Sequence, residues 1–185
     1  CNKYFFQLVG YCSTPPGIAV ERSFQGVLHM LTEQQFTDAA QRYLDMVYRI
    51  ALNWFRNPAD AEDAAQNAML RLWLTDTDFQ GEDHLRHWLV RVALNECKLM
   101  IAHPWRKRTV PLDQCPEPEF SDPARQTLFQ EVMDLPVKYR VPLYLYYYEG
   151  YKVDEVGELL GLNASTVQTR LARARAKLKI QLEEV

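Results

Sequence analysis

The chain has little of what staples or punctuates a small secreted fold. Its 185 residues hold four cysteines and seven glycines. Cys1, Cys12, Cys97 and Cys115 form no CxxC pair, so a disulfide scaffold is not expected and a reducing, cytoplasmic setting is. No apolar run approaches the roughly 20 residues that cross a bilayer, which argues against membrane insertion. An excess of one charge is missing too: 21 Lys and Arg against 24 Asp and Glu leave −3 at pH 7. That balance excludes a uniformly basic nucleic-acid coat, so any nucleic-acid site must be local. P-loop, GxGxxG, HExxH and GxSxG patterns are absent. His84 and His87 stand three apart with no cysteine at ligand spacing. Together these gaps predict a protein that is not an enzyme, with no small-molecule substrate, no metal and no other cofactor.

Proline is abundant in one place. Pro104, Pro111, Pro116, Pro118 and Pro123 are half of the chain's ten prolines, and such a stretch cannot hold a helix. Residues 104–121 therefore read as a linker between a unit at 30–103 and another at 122–185. Residues 1–29 begin with Cys, and their apolar run is broken by Gln7 and Gly10. They are expected to be a poorly packed extension, translated from upstream of a start at Met30. In both units the apolar period is helical, which predicts an all-α fold of two small domains. Helices are expected at 33–56, 58–74 and 83–102, then at 122–134, 137–149, 152–160 and 164–182. Asn57-Pro58 opens the second as N-cap and first helical residue, with Asp60, Glu62 and Asp63 near its positive end. Pro142 requires its helix to begin near Tyr139 or to be kinked. Pieces this small have limited core, so docking on each other or on a partner is anticipated.

The last two helices have the spacing of a helix-turn-helix: a short helix to Leu160, Gly161 in the turn, and Asn163 as N-cap of the long one. Gly157 provides a small residue for a tight contact. Val167, Leu171, Ala174 and Leu178 form a core stripe, while Thr166, Arg170, Arg173 and Lys177 follow one residue earlier on a basic face. Five basic residues and no acid lie between 164 and 180. Cations near a helix C-terminus often serve only the dipole and solvation, but here they accompany the turn and the N-cap. The N-terminal residues of such a helix reach base edges and later cations hold phosphates. Ser165, Thr166, Gln168 and Thr169 are the candidate readers, and Arg170, Arg173, Arg175 and Lys177 the clamps. On the third helix, His84, His87, Arg91, Asn95 and Lys98 make a polar face without a carboxylate, suited to a nucleic-acid strand. Tyr144, Tyr146, Tyr147, Tyr148 and Tyr151 are expected to pack the second core with hydroxyls at its edge, and Trp73 and Trp88 to pack the first.

Asp60-Ala61-Glu62-Asp63 with Gln66 and Leu70-Arg71-Leu72-Trp73, followed by Trp88 to Asn95, resemble the sigma-two domain of bacterial extracytoplasmic-function (ECF) sigma factors of the sigma-70 family. The second unit resembles their sigma-four domain through Leu135-Pro136, Tyr139-Arg140, Glu149-Gly150, Glu155-Val156-Gly157, Thr166-Val167, Arg170-Leu171 and Arg173-Ala174-Arg175. The resemblance runs from Met30 nearly to the C-terminus. It implies a sigma-two domain that binds core RNA polymerase and the minus-ten element, and a sigma-four domain that binds the minus-thirty-five element. Polymerase would meet Asp60, Asp63, Gln66 and Asn67, a stripe suited to a basic helical partner. The minus-ten strand would meet Phe79, His87, Arg91, Asn95 and Lys98, with Asn95 matching the family's asparagine and Phe79 offering a stacking surface. Promoter DNA and core polymerase are then the partners, and an anti-sigma factor is one the resemblance allows. Gln168 departs from the lysine often found there, losing a phosphate contact or gaining adenine readout. After Asn95 the chain has Glu96 and Lys98 in place of the usual Asp and Arg cluster; Arg106 to Arg108 either lie on phosphates or solvate the linker. The alternative is a conventional helix-turn-helix regulator that does not bind core polymerase.

Overall fold

The computed structural model describes residues 31–102 and 123–183. The expectations for 1–29, for the linker at 104–121 and for Arg106 to Arg108 lie outside these residues. All regular structure in the described part is helical: α1 (Glu33–Phe55), α2 (Pro58–Leu74), α3 (Glu82–Ala102), α4 (Pro123–Asp134), α5 (Val137–Tyr147), α6 (Val153–Leu160) and α7 (Ala164–Glu183).

Local chemistry sets the starts. Thr32 and Gln35 form a reciprocal capping box at α1, their side chains accepting from each other's backbone N–H at 3.2 and 2.8 Å. Asn57 accepts from the amides of Ala59 at 3.0 Å and Asp60 at 3.4 Å, and Pro58 follows as expected. α1 stops at Arg56, which turns left-handed at φ 57°. α1 then packs on α2 and α3. Ala61, Ala64, Ala65 and Ala68 on α2 are all buried, which lets the helices approach closely, and Val47, Ile50, Met69, Leu72, Leu89 and Leu94 fill the centre.

In the second group α7 lies against α5 and α6, with Val167, Leu171 and Ala174 buried and Leu178 half-buried against them. Leu145 and Val156 complete that core. α5 begins at Val137, as expected, and ends at Tyr147; of the two alternatives for Pro142 the first-turn one is excluded, because the residue sits in the helix interior. It is buried, and its ring removes the N–H that would have bonded the Lys138 carbonyl. Tyr147 and Tyr148 are not core residues but are 55% and 61% exposed, because the helix ends there and the chain turns outward. They engage Arg175 and Arg49 instead.

The two groups dock on each other, and a single buried cluster runs through both. The seam joins α1 to α5 and α3 to α6. Arg140 on α5 is its centre, only 2% exposed. Its Nε donates to the Asn53 carbonyl at 2.5 Å and a terminal nitrogen reaches the Trp54 carbonyl at 3.4 Å. The remaining nitrogen serves Met133 and Leu135. One guanidinium thus satisfies orphan carbonyls around the ends of two helices from different groups. Burial lowers its pKa to about 10, so it stays charged at neutral pH.

Candidate nucleic-acid interface

Three surfaces carry the residues of interest. On α7, Asn163 accepts from the Thr166 amide at 2.8 Å and from the Ser165 hydroxyl at 3.0 Å, which fixes the helix start. Gly161 turns left-handed at φ 71°. Gly157 is needed for a different contact from the helix crossing anticipated: a Cβ there would stand 2.6 Å from the Leu162 carbonyl oxygen of the turn. Ser165, Gln168, Thr169, Arg173, Arg175 and Lys177 are exposed, while Thr166 and Arg170 are half-buried. Arg175 donates to the Tyr147 hydroxyl at 2.9 Å. The Arg173 guanidinium beside Tyr139 holds that phenol below its usual pKa. Two of the four clamps, Arg173 and Arg175, are therefore steadied by tyrosines.

On α3, His84, Arg91, Asn95 and Lys98 are exposed along one face, and His87 is half-buried. Glu96 points the other way, buried and paired with Arg71, so the face keeps its freedom from carboxylates. Phe79 is packed edge-on to Trp88 at 5.4 Å and to His84 at 5.6 Å. Trp88 and Trp73 are half-buried in the first group, Trp73 against Phe36. Between α1 and the segment leading into α3 lies an open cleft of about 350 Å³, lined by Asp38, Arg42, Tyr43, Phe79 and Glu82 among others. Tyr43 donates to Glu82 at 2.9 Å and Arg42 pairs with it at 2.8 Å. These two donors hold the Glu82 carboxylate below its ordinary pKa.

On α2, Asp63, Gln66 and Asn67 are exposed and Asp60 is half-buried. The stripe does not end there, because Leu70 and Leu74 continue it and are 53% and 48% exposed. Residues 60, 63, 67, 70 and 74 keep the spacing of a helix-pairing seam. Leu70 and Leu74 lie outside the residues expected at this surface, although their spacing is visible in the sequence.

Both halves of the chain match known protein families. Residues 39–107 match the family described as Sigma-70 region 2, and residues 125–178 match Sigma-70, region 4. The ECF RNA polymerase sigma factor SigW of Bacillus subtilis is 27% identical over 83% of this chain and 91% of its own length. The RNA polymerase sigma-E factor of Streptomyces coelicolor is 30% identical over 80% of this chain and 86% of its own. Among solved structures, the sigma factor RpoE from Bartonella quintana, crystallised with the anti-sigma factor NepR, has the same fold, with a TM-score of 0.68 over 81% of this chain and 98% of its own at 17% identity. A chain with both sigma-70 regions in this order is a sigma factor and not a conventional helix-turn-helix regulator. It belongs to the ECF group of the sigma-70 family, whose members are not enzymes. No helix among the described residues is long and apolar enough to cross a membrane.

Proposed function

We propose that this protein is an alternative sigma factor that binds core RNA polymerase, selects promoters and assists their opening without catalysing a reaction itself, in the cytoplasm. Residues 30–103 act as sigma-two, 104–121 as the tether and 122–185 as sigma-four. The observation that carries this reading is the carboxylate-free face of α3, with Arg91, Asn95 and Lys98 exposed along it. A duplex-binding regulator needs no such face. An unstacked strand needs cations for its backbone and an amide for a base edge. Arg91 and Lys98 offer the cations, and Asn95 offers donors and an acceptor.

The stripe Asp60, Asp63, Gln66 and Asn67, extended by Leu70 and Leu74, suits a basic coiled-coil surface on polymerase: acids steer and leucines bury. Ser165, Thr166, Gln168 and Thr169 read the minus-thirty-five duplex while Arg170, Arg173, Arg175 and Lys177 hold phosphates. An anti-sigma factor is a further partner, as for the structural relative crystallised with one.

Run-off transcription with purified core polymerase tests the reading. Promoter-specific transcripts are expected, and Asn95→Ala is expected to lower them roughly tenfold, on the order of one base contact, while core association in gel filtration is unchanged. Tight duplex binding by the lone chain without transcripts would contradict it. So would an equal loss of core binding in Asn95→Ala, for the role of that residue.

A further inference from the structure

The cations assigned to phosphates do not share one face of α7. Arg175 stands two residues from both Arg173 and Lys177, hence about 160° around the helix from each at roughly 100° per residue. Between these flanks, Val167, Leu171 and Ala174 fill the buried inner side, while Ser165, Gln168 and Thr169 occupy the exposed outer side. On its own flank Arg175 meets the end of α5, where its guanidinium donates to the Tyr147 hydroxyl at 2.9 Å. The Tyr147 ring is steadied edge-on by Tyr146 at 4.9 Å and remains 55% exposed.

We propose that Tyr147 is a further DNA-binding residue: it joins Arg175 in holding a phosphate on the strand opposite to the one held by Arg173 and Lys177. The assignment rests on the proposed docking of α7 in the minus-thirty-five major groove, and adds which wall of the groove each cation meets. An α-helix with its side chains is about 10–12 Å across and the major groove about 12 Å wide. A helix seated there has a sugar-phosphate wall on each flank. Arg173 and Lys177 face one wall, and Arg175 with Tyr147 faces the other.

The chemistry of the pair suits an anion. A phenol oxygen that accepts from a guanidinium keeps its own proton, so the two side chains present N–H and O–H donors to one phosphate. The hydrogen bond between them also fixes the long arginine before DNA arrives, which reduces the rotamer freedom lost on binding. On the other flank Arg173 stands beside a phenol too, but Tyr139 is only 8% exposed and serves from within the fold. Tyr147 differs in being exposed at the rim of the helix, where a phosphate can reach it.

The test uses the full chain bound to core polymerase and a promoter duplex in which single phosphates of the minus-thirty-five element, on either strand, are replaced by uncharged methylphosphonates. Tyr147→Phe removes only the hydroxyl. It is expected to weaken binding of the unmodified promoter roughly tenfold, on the order of one hydrogen bond to a charged group, with core association and the thermal midpoint unchanged. One phosphate whose neutralisation weakens the wild-type complex is expected to lose that effect in Tyr147→Phe and in Arg175→Gln. A phosphate on the other strand is expected to lose its effect in Arg173→Gln. Wild-type affinity in Tyr147→Phe overturns the proposal. So does a weakened Tyr147→Phe complex that still responds to every methylphosphonate as the wild type does, since a purely structural loss leaves that pattern intact. Tyr147→Phe and Arg173→Gln losing their response on the same strand overturns the division between the two walls. Methylphosphonates that leave the wild-type complex unaffected on both strands would instead sink the docking of α7, and the pairing with it.

Discussion

Arg140 shows what a single side chain can hold together. Its charge is buried without a carboxylate in direct contact, and carbonyl oxygens from Asn53, Met133 and Leu135 hold it. Removing it strands those acceptors in a dry seam, and each unsatisfied carbonyl costs on the order of 1–3 kcal/mol. Arg140→Met is therefore expected to lower stability by about 2–4 kcal/mol, read as a fall in the urea midpoint. Arg140→Lys is expected to recover little, because an ammonium is a compact point charge and cannot fork to acceptors on two helix ends. A midpoint unchanged in Arg140→Met would show that the carbonyls find water. The sequence marks Arg140 only as part of a Tyr-Arg pair. Its role was not legible there, since the Asn53 acceptor lies 87 positions away and no periodicity links them.

At the scale of the element, local chemistry was readable where a residue acts on its near neighbours. The caps at Asn57 and Asn163, the turn at Gly161 and the core stripe of α7 depend on contacts a few residues apart, and the structure has them as expected. Tertiary packing decided between the two alternatives for Pro142 and overturned the core expectation for the Tyr147-Tyr148 pair: a buried proline inside α5, and an exposed helix end. Leu70 and Leu74 were not expected at a surface for another reason. An apolar side chain on a helix reads as core unless a partner outside the chain is imagined for it. Gly157 gives the element its sharpest test. A methyl group there would sit 2.6 Å from the Leu162 carbonyl oxygen, which is backbone and cannot swing aside. Gly157→Ala is expected to cost about 1–3 kcal/mol and to tilt α6 from α7, lowering the thermal midpoint and minus-thirty-five binding together. Full stability in Gly157→Ala would mean that the turn shifts freely and that the spacing is not fixed by this contact.

For the whole molecule, the near-neutral charge conceals an uneven division. Residues 30–103 carry 7 basic and 11 acidic side chains, against 9 of each in 122–185. Of those seven cations, Arg49, Arg56 and Arg86 face the second group, bonded to Tyr148, Asp134 and Glu149. The outer surface of the first group is thus more acidic than its composition suggests, which suits a basic protein partner and leaves few cations for DNA until the seam parts. The Glu149–Tyr151 turn contacts His87 at the seam, so a strand held by His87 as proposed would have to displace it. On that proposal, a chain engaged on polymerase and promoter holds its halves further apart than the free chain does. Donor and acceptor dyes at Gln41 on α1 and Glu158 on α6, both exposed, report that separation without touching the faces assigned to polymerase or DNA. Energy transfer is expected to be high in the free chain, to fall when core polymerase is added, and to stay low on an opened promoter. The fall should need less polymerase in Glu149→Gln, because a weaker seam raises the binding-competent fraction and so the apparent affinity. Transfer that stays high in a transcribing complex would show that the strand is captured with the seam closed, and that His87 plays no part in it.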